Sequence, residues 1–232
     1  MEENYLDSDT NDNDNDKKDD DQNDGEKDDK KDNELIQSDD IHYIPKYLVY
    51  RSMRLKASGK YTFQLTLEED PLYCCKLNGK HQNTPIPFGI GKDLPKDHTA
   101  KYILTPSKDL KQYSLTCDGE EIFLAQMEPS DLDNPQKSPK IITAQWTPKE
   151  GQQYHMKSRM PEKTSDGEYV LDFEERFAQP SIKNAIIYDL ETDKTLVMIR
   201  RLDKWEMNCD AIPELPDILV FALLISINLC KF

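Results

Sequence analysis

Apolar residues in the body of the chain recur mainly with a period of two. Tyr61, Phe63, Leu65 and Leu67 alternate with Thr62, Gln64 and Thr66, the pattern of a strand with one buried face. Comparable short runs follow at Tyr113-Leu115-Cys117, Ile122 to Ala125, Ile141 to Trp146, Tyr169 to Phe173, Ala185 to Tyr188, Leu196 to Ile199 and Trp205-Met207-Cys209. Asn78-Gly79, Asp118-Gly119 and Asp166-Gly167 supply residues that tolerate positive φ, which tight hairpin turns require. Prolines fall between the runs, at Pro85, Pro87, Pro129, Pro135, Pro139, Pro148 and Pro161, and proline cannot donate to a strand ladder. The pattern predicts an antiparallel β body with one long loop from Glu128 to Lys140.

The end of the chain breaks the alternation. After Pro213 and Pro216, Asp217 can cap a helix, and the residues from Ile218 to Leu229 are apolar on every side. A helix without a polar face must be surrounded by protein or by lipid. Twelve residues span roughly 18 Å as a helix, whereas the hydrocarbon core of a bilayer needs about 20 residues. The expectation is therefore a core helix, and only a closed or strongly curved sheet can cover it on all sides. The predicted fold is mainly β: a closed antiparallel β-barrel around a buried apolar C-terminal helix.

Charge divides the chain in two. The formal net charge is −15, and residues 1 to 40 hold 18 Asp or Glu against 5 Lys, a net of −13. The other 192 residues then carry 27 acidic and 25 basic side chains, a net of −2. Residues 1 to 40 contain too few apolar side chains to offset the entropy of ordering them and read as a disordered acidic tail. Residues 41 to 232 read as one domain. A near-neutral body behind an acidic tail offers no net attraction to a polyanion, so no direct nucleic acid binding is expected.

Candidate chemistry is sparse. The five cysteines (Cys74, Cys75, Cys117, Cys209, Cys230) form no C-x-x-C pair and read as reduced thiols, and Cys74 and Cys75 as strand neighbours pointing apart. The four histidines lie in separate segments without metal or catalytic spacing, and no nucleophile elbow or phosphate loop is present, so the chain does not read as an enzyme and no cofactor is implied. The alternating Asp12, Asp14 and Asp16 do not complete a calcium-loop pattern: counting from Asp12 puts Lys17 at the glycine position. Arg200-Arg201, with Lys204 nearby, reads as a strand end facing solvent. Lys183-Asn184 reads as a polar turn in which the asparagine bonds backbone.

The last third of the chain carries a resemblance. The stretches YVLDFEERFAQPSIKNAIIYD, KTLVMIRRLDKWEMNCD and DILVFALLISINLCKF follow one another. In order and spacing they are similar to the Y-V-L-x-F segment, the S-V-K-N motif, the two strands and the terminal apolar helix of the Tubby C-terminal domain family. The match covers roughly residues 168 to 232 and is weaker before that, where TFQLTLEED, YSLTCDGEE and SPKIITA resemble the family's earlier segments. The departures are specific. Glu174-Glu175 replaces the family's His-Gly before Arg176, and Ile103-Leu104-Thr105-Pro106 is uncharged where the family has a G-K-L-R-S strand.

The resemblance implies a phosphoinositide-binding adaptor that tethers protein cargo to the inner membrane leaflet. It implies a cytoplasmic protein, peripheral to the plasma or ciliary membrane, with the nucleus as a further location. Phosphatidylinositol phosphates demand two or more converging basic donors. The segment matching the family's basic hairpin, Lys76-Leu77-Asn78-Gly79-Lys80-His81, makes Lys76, Lys80 and His81 the candidate lipid-binding residues. The alternative is a degenerate barrel that has lost the lipid site and serves as a protein-interaction scaffold.

Overall fold

The computed structural model describes residues 46–78, 83–95 and 100–231. The acidic tail and the boundary drawn at residue 41 lie outside the described residues. In chain order the strands are β1 (Leu48–Ala57), β2 (Lys60–Leu67), β3 (Asp70–Asn78), β4 (Ile86–Ile90), β5 (Tyr102–Pro106), β6 (Gln112–Cys117), β7 (Glu120–Pro129), β8 (Lys140–Trp146), β9 (Tyr154–Ser158), β10 (Glu162–Lys163), β11 (Tyr169–Val170), β12 (Ala185–Asp189), β13 (Thr195–Arg201) and β14 (Glu206–Ala211). One helix, α1 (Asp217–Leu229), follows.

Twelve strands close into an antiparallel barrel in the order β1-β14-β13-β12-β9-β8-β7-β6-β5-β4-β3-β2, and β10 pairs with β11 alone. Closure rests on β1, which pairs β2 from Tyr50↔Leu67 to Ala57↔Lys60 and β14 from Leu48↔Ala211 to Met53↔Glu206. Closing the sheet leaves no edge strand among the twelve, and the even number lets every neighbour run antiparallel. Two tight turns start the pattern. Asp118-Gly119 joins β6 to β7 with both residues at positive φ, as the sequence predicts, and Ser58-Gly59 does the same between β1 and β2.

The helix fills the barrel. Every residue from Ile218 to Ile227 is buried, and staves around the ring touch it. Phe221 packs against Phe88 of β4 at 4.6 Å between ring centroids and stacks on Tyr73 of β3 at 6.0 Å. From β1, the Tyr50 hydroxyl donates to Asp217, and Asn228 reaches Met207 of β14. Asp217 is thus the first helical residue and a half-buried partner of Tyr50, not the cap; Pro216 takes the cap position without a side-chain bond. Proline fits there because its missing N–H would have had no intrahelical partner. Ser226, the polar exception in the sequence of the helix core, donates to the Ala222 carbonyl within the helix.

The segment between β9 and β12 leaves the barrel wall and folds back over it. Only Tyr169 and Val170 of the predicted strand Tyr169–Phe173 pair, because Glu174 and Glu175 both take positive φ and turn the chain. Phe173 is buried by that turn without joining a ladder. This cover explains why β13 is buried on both faces and why the prediction of a solvent-facing Arg200-Arg201 fails. Arg200 is 6% exposed; its Nε and Nη2 bond the carboxylate of buried Asp210 at 2.8 and 2.7 Å, and Nη1 donates to the Phe177 carbonyl. Arg201 points to the opposite, inward side, where the strand register aligns it with Met207.

Gly89 of β4 marks another close approach. A Cβ there would fall 1.9 Å from the Asp93 carbonyl oxygen and 2.9 Å from Cys74 Sγ. Cys74 is accordingly buried on the outer face of β3 beneath this segment, while Cys75 points into the barrel, so the two do point apart. Replacing Phe221 with Ala should cost about 3–5 kcal/mol of folding stability, read by urea denaturation. A loss below about 1 kcal/mol would mean that the helix does not pack as described.

Candidate functional site

An antiparallel ring sends successive turns to alternate ends, and the helix fixes which end is which. Its N-terminus lies by Tyr50 and its C-terminus by Lys183, whose Nζ donates to the main-chain carbonyl and side-chain Oδ1 of Asn228, each at 3.2 Å. At the N-terminal end, the β2–β3 turn carries Glu68, Glu69 and Asp70, the β6–β7 turn Asp118 with Glu120 and Glu121 beyond it, and the β12–β13 turn Asp189, Glu191 and Asp193. Lys46, Lys92, Lys101, Lys149 and Lys194 interrupt this acidic rim without reversing its sign.

The other rim is basic. Lys56 and Lys60 flank the β1–β2 turn, Lys108 and Lys111 the β5–β6 turn, and Arg201 and Lys204 the β13–β14 turn; only Asp109 and Asp203 oppose them within these three turns. Among the described residues, acidic side chains also sit at this end in Glu128 and Glu206, and in the 130–139 loop and the β9–β12 segment, where both signs mix. Cations at the C-terminal end of a helix and anions at its N-terminal end are also what the helix dipole favours.

The sequence-predicted site divides. Lys76 is exposed on the outer face of β3, opposite Thr62. Lys80 and His81 lie outside the described residues. The strand after β3 begins at Ile86 and pairs with it through Tyr73↔Ile90 and Cys74↔Gly89. The stretch following Asn78-Gly79 has no alternating apolar residues with which to form the expected tight hairpin; alternation resumes at Ile86 and Phe88. The structure instead puts Lys60 beside Lys76. Lys60 pairs with Asn78 and is diagonal to Lys76 on the same outer face, a separation of about 7–8 Å.

A second basic group closes around the inner lip of this rim. Arg54, Lys183, Arg201 and Lys204 line a small cavity of about 50 Å³, with Trp205 and Asn228 at its walls. The Arg54 guanidinium lies over both Trp205 (5.1 Å) and Tyr61 (5.7 Å) and donates through Nη2 to the Lys204 carbonyl, while its buried Nε has no partner. Asn184, in the predicted turn, bonds the Gln179 carbonyl and the Arg201 N–H, which holds Arg201 in place. Lys183, by contrast, is half-buried: desolvation, then the nearby charges of Arg54, Lys140, Arg201 and Lys231, pull its pKa down to about 8. Burial also lowers Arg54.

Sequence reasoning missed this group because its members are far apart in the chain. Arg54 meets Trp205 across 150 residues, and the Ser52 that faces inward in β1 hides that strand's alternation. A broader groove of about 1260 Å³ lies outside the wall, between the 130–139 loop and the β9–β12 segment, with Phe173, Arg176 and Tyr169 among its lining. Among the described residues, no group of three or more His, Cys, Asp or Glu side chains is placed to hold a metal ion. No family model matches the chain, and no curated protein is significantly similar to it.

The depressed Lys183 has a thermodynamic consequence with a definite sign. Between about pH 8 and the ordinary lysine range near 10.5 the unfolded chain holds a proton that the folded chain does not, so Lys183 contributes stability that rises with pH across that window. Buried thiols and tyrosines with raised pKa values, such as Cys209 and Tyr50, oppose it, but they titrate alike in a variant that lacks only this amine. The stability of the wild-type chain relative to Lys183→Met should therefore increase by up to about 3 kcal/mol between pH 7.5 and 10. A pH-independent difference would contradict the half-buried, charge-crowded placement.

Proposed function

We propose that this chain is a Tubby-like barrel that works as a non-enzymatic binding module, docking its basic rim on anionic, phosphoinositide-bearing membrane and holding a protein partner on the remaining surface. The observation that carries this reading is the charge polarity of the barrel: a flat anionic leaflet attracts one rim and repels the other, so the molecule approaches it in one orientation. Lys60 and Lys76 supply paired outward charges near that rim, and Leu55, 56% exposed on the same face opposite Thr62, adds an apolar contact beside them. Among the described residues no helix is long and apolar enough to cross a membrane, and the reading is of peripheral attachment.

Two further features support the likeness to the Tubby C-terminal domain. The twelve-stranded barrel with an enclosed terminal helix is the architecture that the motif order implies. Glu175, standing where the family has glycine, adopts a φ of 66°, a conformation that glycine enters without strain. Arg176, the retained motif arginine, lies against Tyr47 at 5.4 Å and within 3.8 Å of Asp210, so it secures the covering segment to the wall.

The scaffold reading draws on a separate observation. The groove beside the 130–139 loop is large enough for a peptide, and β5, where the family's charged strand falls, carries no charge. Both readings predict partner binding, and they differ in what lipid does. Co-sedimentation of the full chain with vesicles containing bisphosphorylated phosphoinositide, beside neutral vesicles, separates them. The membrane reading expects selective binding that weakens at least about tenfold in a Lys60→Glu, Lys76→Glu double variant and falls with added salt. Equal, background-level sedimentation with both vesicle types would leave the scaffold reading.

A further inference from the structure

The inner lip of the basic rim holds an arrangement that neither the helix nor the barrel wall needs. Lys183 alone serves the helix, by taking the Asn228 carbonyl. Arg54, Arg201 and Lys204 gather around the same cavity, and two acidic residues, Asp203 and Glu206, line it with them. Asp203 spends its Oδ1 on the N–H groups of Trp205 and Glu206, and Glu206 is held by both Nε and Nη2 of Arg51 on the outer face. Four cations therefore share a space with one carboxylate, Asp203, that forms no ion pair among the described residues, while Glu206 is paired with Arg51. That crowding is felt by Lys183.

The geometry points to an oxyanion. Arg54, which lines the cavity, lies near two aromatic rings with one donor fixed on a carbonyl, and its buried Nε has no partner. A guanidinium anchored through one nitrogen keeps its charge and a planar set of donors oriented for an anionic acceptor. A cavity of about 50 Å³ has room for a small tetrahedral ion and none for a much larger ligand, and Arg54, Lys183, Arg201 and Lys204 bring charge and N–H donors to its walls. We propose that Arg54, Lys183, Arg201 and Lys204 form a phosphate-type oxyanion site, occupied by free phosphate or by a phosphomonoester presented at the rim. This deepens the membrane reading, since a lipid headgroup lying on the same rim can insert one phosphate here, but the site's chemistry does not depend on a membrane.

The test uses the full chain and three probes: inorganic phosphate against chloride at matched ionic strength, soluble inositol trisphosphate, and vesicles carrying bisphosphorylated phosphoinositide. Binding is read by calorimetry and by thermal shift. The expected result is phosphate-specific stabilisation that weakens at least about tenfold in Arg201→Gln, Lys204→Gln, and not in Lys149→Gln on the acidic rim. Arg201 ends β13 and Lys204 is exposed in the turn that follows, and circular dichroism verifies that the variant remains folded. Arg54→Lys, which keeps the charge and loses the planar fork, should bind more weakly than wild type. Stabilisation by phosphate without added affinity for vesicles would uphold the site and remove the lipid source. Vesicle binding that is equal in wild type and Arg201→Gln, Lys204→Gln, with no phosphate-specific shift, would overturn the site and leave the membrane reading standing on Lys60 and Lys76.

Discussion

A helix with no polar face is the constraint from which the rest of this structure follows. Helix α1 buries Ile218 through Ile227 on all sides, so no single sheet face or neighbouring helix could cover it. A closed ring does. Once the ring is closed, its lumen is filled by α1 and by inward side chains such as Phe88, Tyr73 and Leu65, and little space remains inside for a ligand. Function is thereby displaced to the rims and the outer wall. The same burial explains why polar groups at the two helix ends are paired with such care: Tyr50 with Asp217 at one end, and Lys183 with Asn228 at the other.

Those end contacts connect the core to the surface charge. The helix dipole favours cations near Asn228 and anions near Asp217, and the barrel's turns carry charge of the corresponding sign at each end. Dipole compensation acts within about a turn of the helix, however, and reaches Lys183 more readily than Lys56 or Lys60. The excess cations at the outer lip are what a binding function would use. A polarised barrel also needs no lipid-specific pocket to orient itself, because attraction at one rim and repulsion at the other give the same preference. The outer lysines and the inner oxyanion group thus divide the work between general attraction and a localised phosphate contact.

Much of this architecture can be read from the chain, because the signals are local. The apolar run from Ile218 to Ile225, continued through Ile227 and Leu229, announces an enclosed helix; alternation announces β2, β6, β7 and β8; Asp118-Gly119 announces its hairpin. Strands β4 and β5 are harder, since Pro87, Gly89 and Pro106 interrupt their five residues and close packing against Asp93 replaces the usual pattern. Arg200 illustrates a different limit. Its burial depends on Asp210 in the next strand and on the Phe177 carbonyl of a segment folded over the wall, neither of which leaves a trace in local periodicity. The continuous run Leu196-Val197-Met198-Ile199 was the available clue, because a strand apolar on both faces is covered on both. The basic lip is least legible of all. Arg54, Lys183 and Arg201 meet only through ring closure between β1 and β14, so no motif spacing records them.

The orientation of the barrel at a membrane is the central claim, and hydrogen exchange of the full chain with and without phosphoinositide vesicles tests it most directly. Amides in the β1–β2 turn and its flanks, 54–60, and in the β13–β14 turn, 201–206, should gain protection. Those of the acidic turns at 118–121 and 189–194 should be unchanged. Protection centred on the acidic rim, or no change at either rim under conditions where the chain sediments with the vesicles, would contradict the account.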